Sequence, residues 1–248
     1  MPEGIDLIWL LLIVFVAEVL GTIGGFGSSV FFVPFAGLLF DFHTVLGITA
    51  IFHVSSNLAK IALFRKGIDR KLILNMGIPA VLFVIAGAFL SQFIDSYWLE
   101  IGLAGFLILM SSVLLIKSDF ALNPSRLTAA TGGAFSGLAA GLVGTGGAIR
   151  GLVLASFSLN KDVFIATSAF IDLGIDVSRS VVYVEAGYFT MKLLPLIPML
   201  LILSFVGTAL GRYLLRFISE QRFQRYVLGL ILLVGISTLI ITVGDVGR

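Results

Sequence analysis

Cysteine is absent from the 248 residues, which excludes disulfides, thiolate metal sites and a membrane thiol–disulfide relay. Charge is scarce as well, at 12% of residues against 58% hydrophobic, with a mean hydropathy of +1.12. A soluble domain carries about 25% charged residues, because its surface must face water. The two histidines, His43 and His53, stand ten residues apart and no His-Glu-x-x-His motif occurs, so an intramembrane metalloenzyme lacks its ligands and no enzymatic activity, metal or cofactor is expected. Basic residues are missing ahead of the first apolar run, Ile5–Ile23, which is flanked by Glu3 and Asp6 instead. A cleavable leader is therefore not expected. Period-two alternation is also absent, which argues against an outer-membrane barrel.

What is present is a series of long apolar runs separated by short charged breaks. Runs such as Ile101–Ile116 and Tyr226–Val243 approach the roughly 20 residues that cross about 30 Å of hydrocarbon as helix. The reading is an all-α polytopic membrane protein with ten helices, near 5–23, 28–40, 43–64, 71–94, 97–116, 127–143, 148–159, 162–184, 193–211 and 223–243. With the N-terminus outside, the inner breaks hold Arg65, Lys66, Arg70, Lys71, Lys117, Arg126, Lys161, Arg212, Arg216, Arg222 and Arg225. The outer side holds Arg150, Lys192 and Arg248. Positive residues collect on the cytoplasmic side, so both termini are expected on the outer side of the membrane. The pI near 9.0 then reflects membrane orientation and not a nucleic-acid partner.

The chain repeats itself. Gly21, Gly24, Gly27, Gly67 and Gly87 each have a glycine 120 residues later, at Gly141, Gly144, Gly147, Gly187 and Gly207. Two membrane repeats follow, 1–120 and 121–248, of about five helices each. An odd number of spans inserts the second copy upside down, the inverted-repeat plan of secondary transporters.

Two glycine clusters are the most informative features, Gly21-Thr-Ile-Gly-Gly-Phe-Gly-Ser-Ser29 and Gly141-Leu-Val-Gly-Thr-Gly-Gly-Ala148. Each precedes an apolar stretch too short to span, about 20 Å and about 18 Å at 1.5 Å per residue. The turns are therefore expected inside the membrane, where bare backbone is tolerated only when protein buries it or it lines a cavity. Free N–H groups opening two short helices, with their dipoles, suit an anion. Close helix packing is the competing use of such glycines, but packing does not require a short helix after each cluster. A dinucleotide loop is not supported, since no strand precedes either cluster.

On these turns, on Pro34 seven residues after Gly27, on the steps Gly47-Ile-Thr49 and Ala166-Thr-Ser168, and on the basic hairpin Arg65–Lys71, the chain resembles the sulfite exporter TauE/SafE family along essentially its whole length. The resemblance implies a transporter of the bacterial plasma (inner) membrane for sulfite, sulfonates or related sulfur-containing organic anions. Leu154, where a second proline would match Pro34, and Arg150 beside the second turn depart from that pattern.

Polar residues inside spans default to functional candidates. The third helix carries Thr49, His53, Asn57 and Lys60, and the eighth carries Ser168, Asp172, Asp176 and Arg179 at the same spacing, 119 residues on. Intervals of four, four and three keep each set on one stripe. Gly24, Gly25, Gly27, Ser28, Ser29, Gly144, Thr145, Gly146 and Gly147 in the turns, with Thr49, Asn57 and Ser168, are the expected substrate contacts. His53, Asp172 and Glu18 are proton-coupling candidates. Lys60 and Arg179 are possible counter-charges, or they snorkel or pair locally. The expected function is secondary transport of a small sulfur-containing oxyanion by alternating access, most readily export. An anion channel and a proton-coupled uptake permease are the alternatives. Expected partners are the anion and the bilayer, with proton coupling and a homo-oligomer left open.

Overall fold

The computed structural model describes residues 4–24, 27–64, 67–116, 122–215, 217 and 220–245. Its helices are α1 (Gly4–Gly24), α2 (Ser29–Ala36), α3 (Phe42–Leu63), α4 (Arg70–Phe93), α5 (Ser96–Ile116), α6 (Arg126–Val143), α7 (Gly147–Ala155), α8 (Lys161–Glu185), α9 (Leu196–Leu214) and α10 (Glu220–Asp245). No strand occurs among the described residues, and the architecture is that of an all-helical polytopic membrane protein. Helices α1, α3, α4, α5 and α9 are long and apolar enough to cross a bilayer. Helix α8, at 25 residues, has the length but carries the charged stripe of Asp172, Asp176 and Arg179. Gly25 and the residues Arg65, Lys66, Lys117 and Arg216, expected in inner loops, with Arg248, lie outside the described residues.

Local chemistry sets the ends. Asp41 accepts from Thr44 N at the start of α3 and Asn160 accepts from Val163 N at the start of α8, both at 3.0 Å. These two caps are 119 residues apart, the offset of the polar stripes. Helices α2 and α7 are shorter than the sequence suggested, 8 and 9 residues, or about 12 Å and about 14 Å. Gly37 closes α2, and a turn ending on Ser158, at φ 51°, follows α7. Helix α4 contains a π turn at Ile73–Gly77 just before Pro79. The proline has no N–H to offer the carbonyl one turn back, and the widened turn absorbs the defect.

Glycine sets the closest approaches. Gly133, Gly137 and Gly141 of α6 lie on the backbone of Met76, Ala80 and Val84 of α4, so tightly that a Cβ at any of them would collide with a carbonyl oxygen. This is small-xxx-small packing in lipid, where apolar side chains alone give helices little reason to associate. On the opposite side, Gly207 and Gly211 of α9 seat against the Glu18 and Thr22 side chains of α1. The packing pattern repeats when five is added to each label. Helix α4 packs on α6 and α9 on α1, α9 on α3 and α4 on α8, while α3–α8, α5–α10 and α2–α7 pair across the halves. Large apolar side chains facing outward, such as Ile8, Leu12, Leu82, Phe89, Ile202 and Phe205, form a surface suited to lipid and not to water.

Candidate functional site

Both glycine turns come to the centre of the molecule and meet there. Gly27 has φ +86° and Gly144 φ +78°, left-handed conformations that a side chain would strain. A Cβ on Gly27 would lie 3.9 Å from the Gly147 Cα and 4.0 Å from Arg150 Nη2. Ser29 donates to Thr145 at 3.1 Å, joining the first turn of α2 to the residues leading into α7. Neither short helix has a side-chain hydrogen bond on its N-cap, Ser28 or Gly146. Gly21 and Gly141 within the same clusters are used differently, for packing: Gly21 against the backbone of Ser28, Gly141 against α4.

Beside the joined turns lies a cavity of about 30 Å³, lined among others by Gly27, Lys60, Arg150, Ser168 and Asp172. Gly21 and Thr22 of α1 and Phe164, Ile165 and Ala169 of α8 complete the wall, so both halves of the chain contribute.

Three ion pairs lie here, and Lys60, Arg150 and Asp172 of them reach the cavity wall. Lys60 Nζ is 2.9 Å from Glu18 Oε1, Arg179 Nη2 is 2.6 Å from Asp176 Oδ1, and Arg150 Nη1 pairs with Asp172. Glu18 is the most heavily bonded of the carboxylates. It accepts from Ser56 at 2.8 Å, Thr208 at 2.7 Å, Ser28 at 3.0 Å and Thr22 at 3.4 Å, tying α1 to α3, α9 and the entrance of α2. Lys60 also donates to Ser56 at 2.6 Å. Asp176 accepts from Asn57 Nδ2 at 2.7 Å and from Arg179 Nε at 2.8 Å. Arg179 Nη1 then donates to the carbonyls of Ala140 at 2.9 Å and Gly144 at 3.0 Å, and Tyr183 donates to Gly141 O at 2.6 Å. The guanidinium and the phenol thus satisfy carbonyls at the broken end of α6, where a cation is also favoured by the helix dipole.

His53 bridges the two sets. Its Nε2 is 3.2 Å from Ser28 Oγ and its Nδ1 3.7 Å from Asp176 Oδ2. Because Ser28 donates to Glu18, its oxygen is left to accept from Nε2–H. Hydrogen bonds therefore run Glu18–Ser28–His53, and the other face of the imidazole lies against Asp176.

The expected site residues sort into two groups on this geometry. Gly27, Lys60, Ser168 and Asp172 line the cavity, and the turn residues Ser29, Gly144, Thr145, Gly146 and Gly147 are adjacent to one another, with Gly24 ending α1. Thr49 and Asn57 stand behind. Thr49 donates to Val45 O on its own helix at 2.6 Å, and Asn57 is committed to Asp176. Arg179 is 1% exposed, so it neither snorkels nor reaches the cavity. Lys60 pairs with Glu18 and likewise does not snorkel.

Arg150 requires a correction. Sequence reasoning placed it on the outer side among the loop charges, whereas it sits on α7, 4% exposed, and donates from Nε to Ser168 at 2.9 Å. A glycine-opened helix entering the protein carries its fourth residue inward with it. The signal was available: Arg150 is the sole charged residue between Arg126 and Lys161, and a lone charge in an apolar stretch demands a buried partner. Ser56, Thr22 and Thr208, the other donors to Glu18, were also missed. Their pattern is indistinguishable from ordinary helix hydroxyls until the helices are packed.

The comparisons with known proteins concern the whole of this structure. No curated protein and no solved structure matches the chain. The family model of the sulfite exporter TauE/SafE matches residues 10–238, a span that includes both glycine turns, all three ion pairs and the cavity between them, and the chain therefore belongs to the sulfite exporter TauE/SafE family of membrane transporters.

Proposed function

We propose that this protein is a secondary transporter that carries sulfite or a small organosulfonate across the plasma membrane, alternately exposing a site where the two glycine turns meet. The observation that carries the reading is the junction of Gly27, Gly147 and Arg150 beside a cavity that holds Lys60 and Asp172 and is built from both halves. The self-repeating packing of α1–α5 and α6–α10, the matched caps of Asp41 and Asn160, and the shared left-handed φ of Gly67 and Gly187, +120° and +81°, support two repeats of opposite orientation. Rocking such repeats against each other opens a central site to one side and then the other. The cavity is partly open in this structure, and rocking the repeats would widen it toward one side for the anion.

Energetics constrain the binding step. Each helix N-terminus offers an anion up to about 2 kcal/mol in a partly buried setting, against an effective desolvation cost of several kcal/mol per ion. The remainder falls to the side chains of the cavity wall. A monoanion leaving a negative interior gains about 2.3 kcal/mol per 100 mV, which drives export unaided, whereas uptake needs a co-transported cation. Sulfite efflux from proteoliposomes of the purified protein tests the reading. Saturable efflux down an imposed sulfite gradient is the expected result. Absence of flux for sulfite and for methanesulfonate overturns it, and conductance beyond any conformational cycle reassigns the protein as a channel.

A further inference from the structure

The three ion pairs are not equivalent. Side-chain exposure is 0% for Glu18 and 2% for Asp176 but 15% for Asp172. Glu18 is fixed by four hydroxyls besides its lysine, and Asp176 by Asn57 and two atoms of Arg179. Asp172 has no hydrogen bond besides its contact with Arg150 among the described residues. It is the loosest carboxylate, and it lines the cavity together with the guanidinium that it neutralises. The three pairs also cancel, so a bare anion entering the cavity meets no surplus positive charge.

We propose that Arg150 is the counter-charge of the transported anion and that Asp172 holds its place until the substrate arrives. The proposal rests on the transport reading above and adds which residues exchange. The substrate oxyanion takes over the Arg150 fork, whose planar donors suit a carboxylate and a sulfonate alike. Ser168, bonded to Arg150 Nε, holds the guanidinium in place. Asp172, released, takes a proton from the aqueous side to which the cavity is open, and returns it on the far side when the anion leaves. The charge of the site is then the same in its empty and loaded forms, and one proton crosses with each anion. The other charges facing Asp172 do not change partners: Lys60 on α3 stays with Glu18, and Asp176 and Arg179 on α8 stay with each other. Neither α4 beyond Lys71 nor α6 beyond Arg126 carries a charged residue.

The test uses methanesulfonate, a monoanion across the working pH range, bound to the detergent-purified protein and transported in proteoliposomes loaded with a pH dye. In the wild type, affinity falls about tenfold per pH unit on raising the pH, because each binding event takes up one proton. Methanesulfonate entry carries protons with it. The Asp172→Asn variant binds with no dependence on pH and transports without moving protons. The Arg150→Gln variant loses about 100-fold in affinity. The double variant Arg150→Gln/Asp172→Asn, which leaves no uncompensated charge to disturb folding, binds as weakly as Arg150→Gln alone. An unchanged pH slope in Asp172→Asn, or wild-type affinity in either variant lacking Arg150, overturns this exchange while leaving transport intact. A wild type that neither binds nor moves methanesulfonate or sulfite removes the transport reading itself, and the exchange with it.

Discussion

The two halves of the chain place polar side chains at matching positions and then use them in opposite ways. In the first half the stripe Thr49–His53–Asn57–Lys60 holds one cation, and its partner Glu18 comes from another helix and is wrapped in hydroxyls from Thr22, Ser28, Ser56 and Thr208. In the second half the stripe Ser168–Asp172–Asp176–Arg179 supplies its own carboxylates, and Arg179 is turned to the broken end of α6. The position 120 residues before Arg150 is Val30, so α2 carries no charge to match that of α7. One half thus holds a carboxylate braced by hydroxyls, and the other two carboxylates paired with guanidinium groups.

The largest expected difference between the halves is in stability. Arg179→Leu leaves Asp176 buried without its guanidinium and uncaps Ala140 and Gly144, and should cost about 3–5 kcal/mol. Lys60→Met should cost less, because four hydroxyls remain on Glu18. Thermal unfolding in detergent ranks the two, and an equal or greater loss for Lys60→Met would break the comparison. Removing one brace hydroxyl, by Ser56→Ala or Thr208→Val, deprives a buried carboxylate of a donor. A loss of about 1.5–3 kcal/mol is expected for each, with proton coupling preserved in the proteoliposome assay. A coupling defect there would move the switch from Asp172 to Glu18.

Smaller effects sharpen the same contrast at the turns. Gly27→Ala has space for its methyl but must hold φ +86°, a cost of about 1–2 kcal/mol. Gly144→Ala adds a clash to a similar strain, with its Cβ 2.8 Å from Leu46 Cδ2 and 3.1 Å from Val33 Cγ2. The second turn should therefore be the less tolerant in unfolding measurements, and anion flux should drop in both. The smallest effect belongs to the caps. Asp41→Ala and Asn160→Ala should each cost about 1 kcal/mol, and a marked inequality would show that α3 and α8 begin in different ways.

Much of this was legible in advance, for reasons that differ by residue. Hydropathy marks helices in lipid because an unsatisfied backbone has no alternative there, so all ten helices lay within a few residues of their expected places. The stripes were legible because spacings of four, four and three define a helix face whatever surrounds it. Arg150 was misread because the charge count assumed that a basic residue beside a turn lies in water, and the turn is inside the protein. The hydroxyls on Glu18 come from α1, α2, α3 and α9, and no periodicity within one helix points to a partner on another.

By itself, then, the sequence determined the helical membrane class, the two glycine turns, the short helices after them and the duplicated polar faces, all consequences of local pattern and of the solvent. Only the tertiary structure decided which cation meets which carboxylate. That choice depends on how far Gly133, Gly137 and Gly141 let α6 approach α4 and on how deeply α7 carries Arg150 inward. Buried ion pairing varies with distance and exclusion of water, and both are set by packing between helices rather than by spacing along one.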